Sequence, residues 1–180
     1  WLHDHPEVTL EQLYPRHMLK AYQLAAKHNR TGQAWGPSLS AALNYSVNAT
    51  EPGRGRLPLA SIDHLWGSAE IGGPLASGRG AVVSTGYYFA PHTIAGQQAV
   101  WEEVYARDPA CLDPNSTSSC LWNLPEEQRH LFLGVEACAW GEATDNFNID
   151  QLLWFRMAAL AERMWMSNAN IAARGINLSS

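Results

Sequence analysis

The sequence lacks any apolar run that could cross a lipid bilayer, which takes roughly 20 consecutive apolar residues. It also lacks a basic cluster, because its 12 Lys and Arg are scattered among 17 Asp and Glu, giving a net charge of -5. Such a surface offers no positive face to a phosphate backbone. The composition therefore predicts no membrane span and no nucleic-acid partner.

Metal and phosphate motifs are also scarce. His3-Asp4-His5 has metal-like chemistry, but no third ligand follows at a useful spacing, so we interpret it as a solvated cluster. The segments GRGRLP and SGRGA have glycines without the lysine or the strand-to-helix context of a phosphate loop, which indicates turns. We expect no metal and no cofactor.

Cysteine is limited to three residues. Cys111 and Cys120 bracket the polar segment CLDPNSTSSC, which predicts a disulfide-closed loop and hence an oxidising compartment. Cys138 is left over in an apolar strand with no basic residue nearby in sequence, which favours a packing role over a nucleophilic one.

Asn-x-Ser/Thr triplets are more frequent than composition predicts, since about one would occur by chance in this length. They are either glycosylation sites or the mark of a polar, Asn- and Ser-rich surface. With the disulfide, they favour a glycoprotein of the lysosome or the secretory route. The five triplets begin at Asn29, Asn44, Asn48, Asn115 and Asn177.

The 46% hydrophobic content and eight tryptophans are ample for one packed domain. A helix is predicted over residues 9–29, with a capping box formed by Thr9 and Gln12. Pro15 is expected either to kink this helix or to shift its start. A second helix is predicted over residues 148–166, capped by Asn148 or Asp150. Its predicted apolar face is formed by Leu153, Met157, Leu160, Ala161 and Met164.

Four apolar strands are predicted. The first lies in the segment 33–39 and ends at Trp35, the second lies in the segment 57–67 and ends near Trp66, and the others span residues 80–89 and 130–140. Their runs are continuous rather than alternating, which is typical of a parallel sheet buried on both faces. Residues 91–129 are expected to form a long, irregular loop insertion that carries the disulfide. The pattern predicts an α/β fold.

Aromatic or acidic residues collect at the carboxyl ends of these strands. They are Trp35, Trp66, Tyr87 with Tyr88, and Trp140 with Glu142. Taken singly, each aromatic is also compatible with core packing. Together they suit a sugar, which offers apolar C–H faces for stacking and hydroxyls that hydrogen-bond to a carboxylate.

The segment GVEACAWGEATDNFNIDQLLWFRMAALAERMW, residues 134–165, resembles the C-terminal part of the family 20 glycoside hydrolases, the β-N-acetylhexosaminidases of lysosomes and secretions. The preceding strands align in order, so the resemblance covers nearly the whole chain. It implies the C-terminal half of a (β/α)8 TIM barrel, about strands 5 to 8. Because four strands leave two open edges, an N-terminal half is expected upstream, either as a separate processed chain or missing from a partial sequence that begins at Trp1.

The resemblance also implies a reaction and roles. Terminal GlcNAc or GalNAc would leave a glycan by substrate-assisted retaining catalysis, in which an Asp orients the acetamido group and a neighbouring Glu protonates the leaving oxygen. By position, Trp35, Trp66 and Trp140 would wall the acetamido pocket. Tyr88 would hydrogen-bond to the acetamido oxygen, and Glu142 would bind hydroxyls at the non-reducing end. Homodimers are common in the family, so a homodimer is implied too.

The chain departs from the family in three places. It contains no Asp-Glu dipeptide, so the general acid must come from the absent segment. Gly36 and Pro37 stand where the family has Gln-Glu, and Ala90 replaces a polar residue. A second hypothesis is therefore a catalytically silent, hexosaminidase-like glycoprotein that serves as a carbohydrate-binding or structural subunit.

Four further charged residues are interpreted as structural. Glu136 is expected to need a buried partner, Arg156 or Arg163. On the last helix, Arg156, Glu162 and Arg163 are expected to clamp the helix to the barrel by buried ion pairs rather than to bind substrate.

Overall fold

The computed structural model describes residues 2–36, 61–68, 70–89, 100–141 and 144–175. Its centre is a parallel sheet of four strands in the order β1-β2-β3-β4, which confirms the predicted parallel α/β sheet. The strands are β1 Gln33–Trp35, β2 Ile62–Leu65, β3 Gly80–Val83 and β4 Phe132–Val135. The helices are α1 Leu10–Lys27, α2 Gly72–Ala76, α3 Trp101–Ala106, α4 Glu126–Arg129, α5 Ile149–Trp165 and α6 Asn168–Ala173.

The strands are shorter than the apolar runs that predict them. After β3, the Tyr87 N–H donates to the Ser84 carbonyl at 2.9 Å, closing a turn in which Gly86 has a φ of 83°. Parallel pairing resumes beyond the turn as an isolated bridge between Tyr88 and Cys138. The residues of the third predicted strand therefore form three parts: strand β3, a turn, and an isolated parallel bridge. The strand is interrupted because Gly86 has a left-handed backbone conformation, which an extended chain cannot include.

The core lies on the outer face of the sheet, under the helices. One apolar cluster joins Ile71 and Leu75 of the α2 region to Ala81 and Val83 of β3. A second cluster joins the segment after β3 to α3 and α5. Its buried members are Tyr87, Phe89, Val104 and Ala159.

Helix α1 begins where the sequence predicts, with a capping box formed by Thr9 and Gln12. Pro15 lies within the helix rather than at its start. Pro15 has no backbone N–H to donate, but the missing hydrogen bond lies near the N-terminus of the helix. Helix α1 therefore continues to Lys27. At the far end the Tyr22 ring packs against Gly32, where an added Cβ would lie 2.2 Å from ring atom Cδ1.

The apolar face of α5 is narrower than predicted. Leu153 and Leu160 pack against the outer core, whereas Met157 and Ala161 are exposed. Helix α5 packs against α3, and Met157 and Ala161 stay open to solvent. The prediction was wrong for these two residues, because periodicity shows an apolar stripe but not how much of it a neighbour covers.

Of the residues predicted to clamp the last helix by buried ion pairs, Arg163 forms such a pair in the described part of the chain. Its side chain is buried and its guanidinium lies 3.5 Å from the Asp108 carboxylate. Glu162 instead pairs with Arg174 at 3.1 Å on the exposed side of the helix. Arg156 donates to the Leu152 carbonyl of its own helix at 2.8 Å. The expected burial of Glu162 is therefore wrong, because this position faces solvent.

The described part of the predicted insertion, residues 100–129, contains α3, α4 and two short 3-10 helices. It also contains the predicted disulfide between Cys111 and Cys120. Both cysteines are buried. By the chain-entropy model, closing so short a loop stabilises the fold by about 2.5 to 3 kcal/mol.

Two of the five glycosylation triplets can be placed. Asn29 and Asn115 are both exposed. Asn44, Asn48 and Asn177 lie outside the described residues. No helix in the described part of the chain is long and apolar enough to cross a membrane.

Candidate functional site

Three of the tryptophans at the strand ends meet on the inner face of the sheet. The Trp35 and Trp66 rings lie 6.3 Å apart at an angle of 35°. The Trp35 and Trp140 rings lie 5.6 Å apart at 73°, in an edge-to-face contact. The three side chains are 39%, 44% and 38% exposed, so their faces remain open. We call these three residues the tryptophan cluster.

Gly36 shapes the tryptophan cluster from the end of β1. Its φ is 47°, and an added Cβ would lie 2.9 Å from Trp66 Nε1. The Gly36 N–H donates to the His64 carbonyl at 2.8 Å, which holds the turn against β2. A side chain at this position would collide with the Trp66 indole and force it to shift. The departure from the family pattern at Gly36 therefore fits the packing of Trp66.

Tyr88 lies beside the tryptophan cluster. Its side chain is buried, and its hydroxyl donates to the Trp66 carbonyl at 3.3 Å. Burial raises the pKa of Tyr88, so the phenol stays protonated at neutral pH and keeps its hydrogen for donation. Indole faces with one hydroxyl donor suit a small ligand that has a methyl or C–H face and a single acceptor.

Cys138 faces the same side of the sheet, bridged to Tyr88. Burial raises the pKa of the Cys138 thiol, which disfavours the nucleophilic thiolate. The buried Ser84 hydroxyl interacts with both Cys138 and Tyr88, and this interaction partly opposes the rise in each pKa. The geometry agrees with a packing role for Cys138.

Glu136 has a different neighbour from the two arginines proposed for it. Its Oε1 lies 3.9 Å from Nε2 of the buried His64, and its own side chain is half exposed. The expectation of Arg163 is wrong, because Arg163 pairs with Asp108 behind the sheet. His64 also meets the Trp35 ring at 5.5 Å and 82°. Sequence reasoning missed His64, although it lies two residues before Trp66 and shares its strand face.

A second polar group lies on the outer face of the sheet. Asp63 and Arg79 form a buried ion pair, with Nη2 2.9 Å from Oδ2. Burial raises the pKa of Asp63, and the Arg79 guanidinium opposes that rise. The pair lines a cleft that also contains Leu65 and Pro74. Its charges satisfy each other, so we assign it a structural role.

The remaining predicted site residues have no described position or no site around them. Glu142, Pro37 and Ala90 lie outside the described residues. His3 pairs with Asp4 at 3.1 Å and His5 with Glu7 at 3.2 Å, all on the surface. Within the described ranges, no group of three or more His, Cys, Asp or Glu could hold a metal ion.

The chain matches the catalytic domain of glycosyl hydrolase family 20 over residues 6–168. It therefore belongs to this family of glycoside hydrolases. It is similar to beta-hexosaminidase 3 of Arabidopsis thaliana, with 27% identity in an alignment that covers the whole chain and 29% of the length of that protein. It is also 30% identical to human beta-hexosaminidase subunit beta over 63% of the chain and 19% of that subunit. A third match, to the mouse alpha subunit, is 37% identical over 38% of the chain and 11% of the subunit. The chain spans less than a third of the length of these relatives.

Proposed function

We propose that the protein containing this chain is a β-N-acetylhexosaminidase that removes terminal, non-reducing GlcNAc or GalNAc from glycoconjugates. In this proposal the chain is the C-terminal half of a (β/α)8 barrel, about strands 5 to 8. The observation that carries the proposal is the convergence of three indoles and the Tyr88 hydroxyl at the carboxyl ends of parallel strands. In barrels of this type, those ends form the active site.

The proposed reaction uses the substrate's own acetamido group. Its oxygen forms a bond to the anomeric carbon while the glycosidic C–O bond breaks and a general acid protonates the leaving oxygen. The tryptophan cluster would enclose the acetamido methyl and hold the oxygen in attacking geometry. Such positioning is a major source of rate, because it replaces a random encounter with a fixed contact.

Tyr88 would supply the hydrogen bond to the acetamido oxygen. A phenol has one hydrogen to donate, and in the structure it goes to the Trp66 carbonyl. That bond is long, at 3.3 Å, so exchanging it for a bond to an acetamide oxygen costs little. The raised pKa of Tyr88 keeps the donor available across the neutral and acidic range.

The proposed partner of the chain is the N-terminal half of the same protein, which would close the sheet and bring the catalytic Asp-Glu pair. We place the protein in the lysosome or outside the cell, since its disulfide needs an oxidising compartment. Glycosylation at exposed Asn29 and Asn115 is part of this proposal. A homodimer is proposed by analogy with the family.

A second candidate is a catalytically silent subunit that keeps the carbohydrate pocket. It is favoured by the sequence departures at Gly36, Pro37 and Ala90. The two candidates differ in the upstream half: an enzyme requires an Asp-Glu pair at the end of a strand there, and a silent subunit does not.

Glu142 gives a direct test of the enzyme proposal. We expect Glu142→Gln in the full-length protein to lower kcat/KM for a chromogenic N-acetylglucosaminide by about tenfold or more. The reason is the loss of a charged hydrogen bond to a sugar hydroxyl. The matched control is Glu162→Gln, at a surface carboxylate on α5, which should leave kcat/KM unchanged. Equal values for both variants would remove Glu142 from the site.

A further inference from the structure

His64 is buried directly beside the tryptophan cluster, in a position where a polar ring needs an explanation. It is 0% exposed and stands opposite Trp35 in the β1–β2 register. Neighbouring residues in register project from the same face of a sheet. The two rings meet edge to face, with centroids 5.5 Å apart.

Two polar side chains flank the imidazole from different strands. Gln33 Nε2 lies 3.3 Å from His64 Nδ1. Because an amide nitrogen can only donate, Nδ1 accepts this bond, and the neutral ring carries its proton on Nε2. That Nε2–H has no hydrogen-bond partner among the described residues. The Glu136 carboxylate, 3.9 Å away, is near but beyond direct bonding distance.

An orphaned donor in a fully buried ring is costly and uncommon in folded proteins. An apolar residue of similar size would fill the same space without that cost. The polar arrangement does something that an apolar residue would not: the bond from Gln33 fixes the rotation of the imidazole, and the Glu136 carboxylate, 3.9 Å from Nε2, attracts the ring N–H from the other side. A fixed imidazole presents a fixed surface to Trp35.

Trp35 is the ring whose orientation matters most in the tryptophan cluster. It contacts both of the other indoles, Trp66 and Trp140. Its third ring contact is His64. A rotation of Trp35 would therefore disturb the whole cluster.

We propose that His64, held between Gln33 and Glu136, is a positioning residue that sets the ring orientation of Trp35 in the acetamido pocket. The catalytic part of this inference rests on the proposed hexosaminidase function. His64 acts through Trp35 and does not itself touch the substrate. Its effect should appear in kcat, because misplacing the pocket wall shifts the attacking oxygen more than it weakens overall binding.

The experiment uses the full-length protein and three variants. His64→Leu removes the bond to Gln33 and the ring N–H that faces Glu136, whereas His64→Gln keeps an acceptor and a donor. The control is His17→Leu, at an exposed histidine on α1. We expect His64→Leu to lower kcat by about tenfold on an aryl N-acetylglucosaminide with KM changed less than about threefold. His64→Gln should recover most of kcat, and His17→Leu should match the wild type.

A second readout needs no substrate. Closely packed indoles couple in circular dichroism, and the coupled signal depends on their mutual orientation. We expect His64→Leu to change this signal and His17→Leu to leave it unchanged. If the wild type does not hydrolyse the sugar, the hexosaminidase proposal fails, while the spectral comparison still tests the positioning of Trp35.

The proposal is overturned if folded His64→Leu keeps both its kcat and its indole signal. Should His64→Leu fail to fold, Gln33→Leu replaces it, because Gln33 is exposed and only its bond to His64 Nδ1 is lost. We expect Gln33→Leu to lower kcat by about threefold, because it misplaces the Trp35 ring less than His64→Leu does. An unchanged kcat and an unchanged indole signal in Gln33→Leu would also overturn the proposal.

Discussion

Trp35→Ala is expected to lower kcat/KM for an aryl N-acetylglucosaminide by about 100-fold in the full-length protein. Trp35 is the central ring of the tryptophan cluster, since Trp66 and Trp140 each contact it. Its removal opens the proposed acetamido pocket on one side and frees both neighbours to rotate. The acetamido oxygen then loses its fixed approach to the anomeric carbon, and positioning errors of about 1 Å have effects of this size.

Steady-state kinetics with two companion variants test this expectation. Trp35→Phe keeps an aromatic face and should recover part of the activity. Trp122→Ala makes the same chemical change at an exposed tryptophan in the disulfide-bearing segment, and it should have little effect. If Trp35→Ala retains its fold and is no worse than Trp122→Ala, the tryptophan cluster is not the sugar pocket.

Arg163→Met is expected to lower the free energy of unfolding by about 3 kcal/mol. The Arg163 side chain is 1% exposed and its charge faces Asp108 at 3.5 Å. It donates to the Arg107 carbonyl at 3.1 Å and to the Met166 carbonyl at 2.9 Å. A further bond joins it to the Asn168 side chain. Methionine fills the space, but it removes the charge that faces Asp108 and the donor to two backbone carbonyls and to the Asn168 side-chain oxygen.

Denaturant unfolding of the full-length protein, followed by circular dichroism, measures this loss. The matched control is Arg174→Met, where the pair with Glu162 is exposed on both sides. Surface ion pairs contribute about 1 kcal/mol at most, so Arg174→Met should shift the midpoint only slightly. Similar shifts for the two variants would show that the Arg163 contacts do not clamp α5.

The parallel sheet and the convergence of the aromatic residues could both be predicted from the sequence, for a physical reason. Continuous apolar runs between helices predict parallel strands, and parallel strands place their carboxyl ends at one edge. Trp35, Trp66 and Trp140 follow from that rule without knowledge of the register. Their mutual angles do not, because they depend on Gly36 and on side-chain rotations that no local pattern encodes.

The long-range contact between Glu136 and His64 could not be predicted from the sequence. Glu136 lies near His64 because β3 and β4 are joined with a register shift between Ala81 and Val82. A shift of this kind changes which residues share a face, and it leaves no mark in hydrophobic periodicity. The short helices α3 and α4 were missed for another reason: four to six residues are too few to show a helical period.

The central claim is that the tryptophan cluster and Tyr88 form a pocket for the acetamido group of a terminal N-acetylhexosamine. The most direct test compares two substrates of the full-length protein, 4-nitrophenyl N-acetyl-β-glucosaminide and the matching β-glucoside, which differ only in that group. We expect hydrolysis of the first and no detectable hydrolysis of the second, because only the first carries the internal nucleophile. Equal hydrolysis of both substrates, or hydrolysis of the glucoside alone, would contradict the claim.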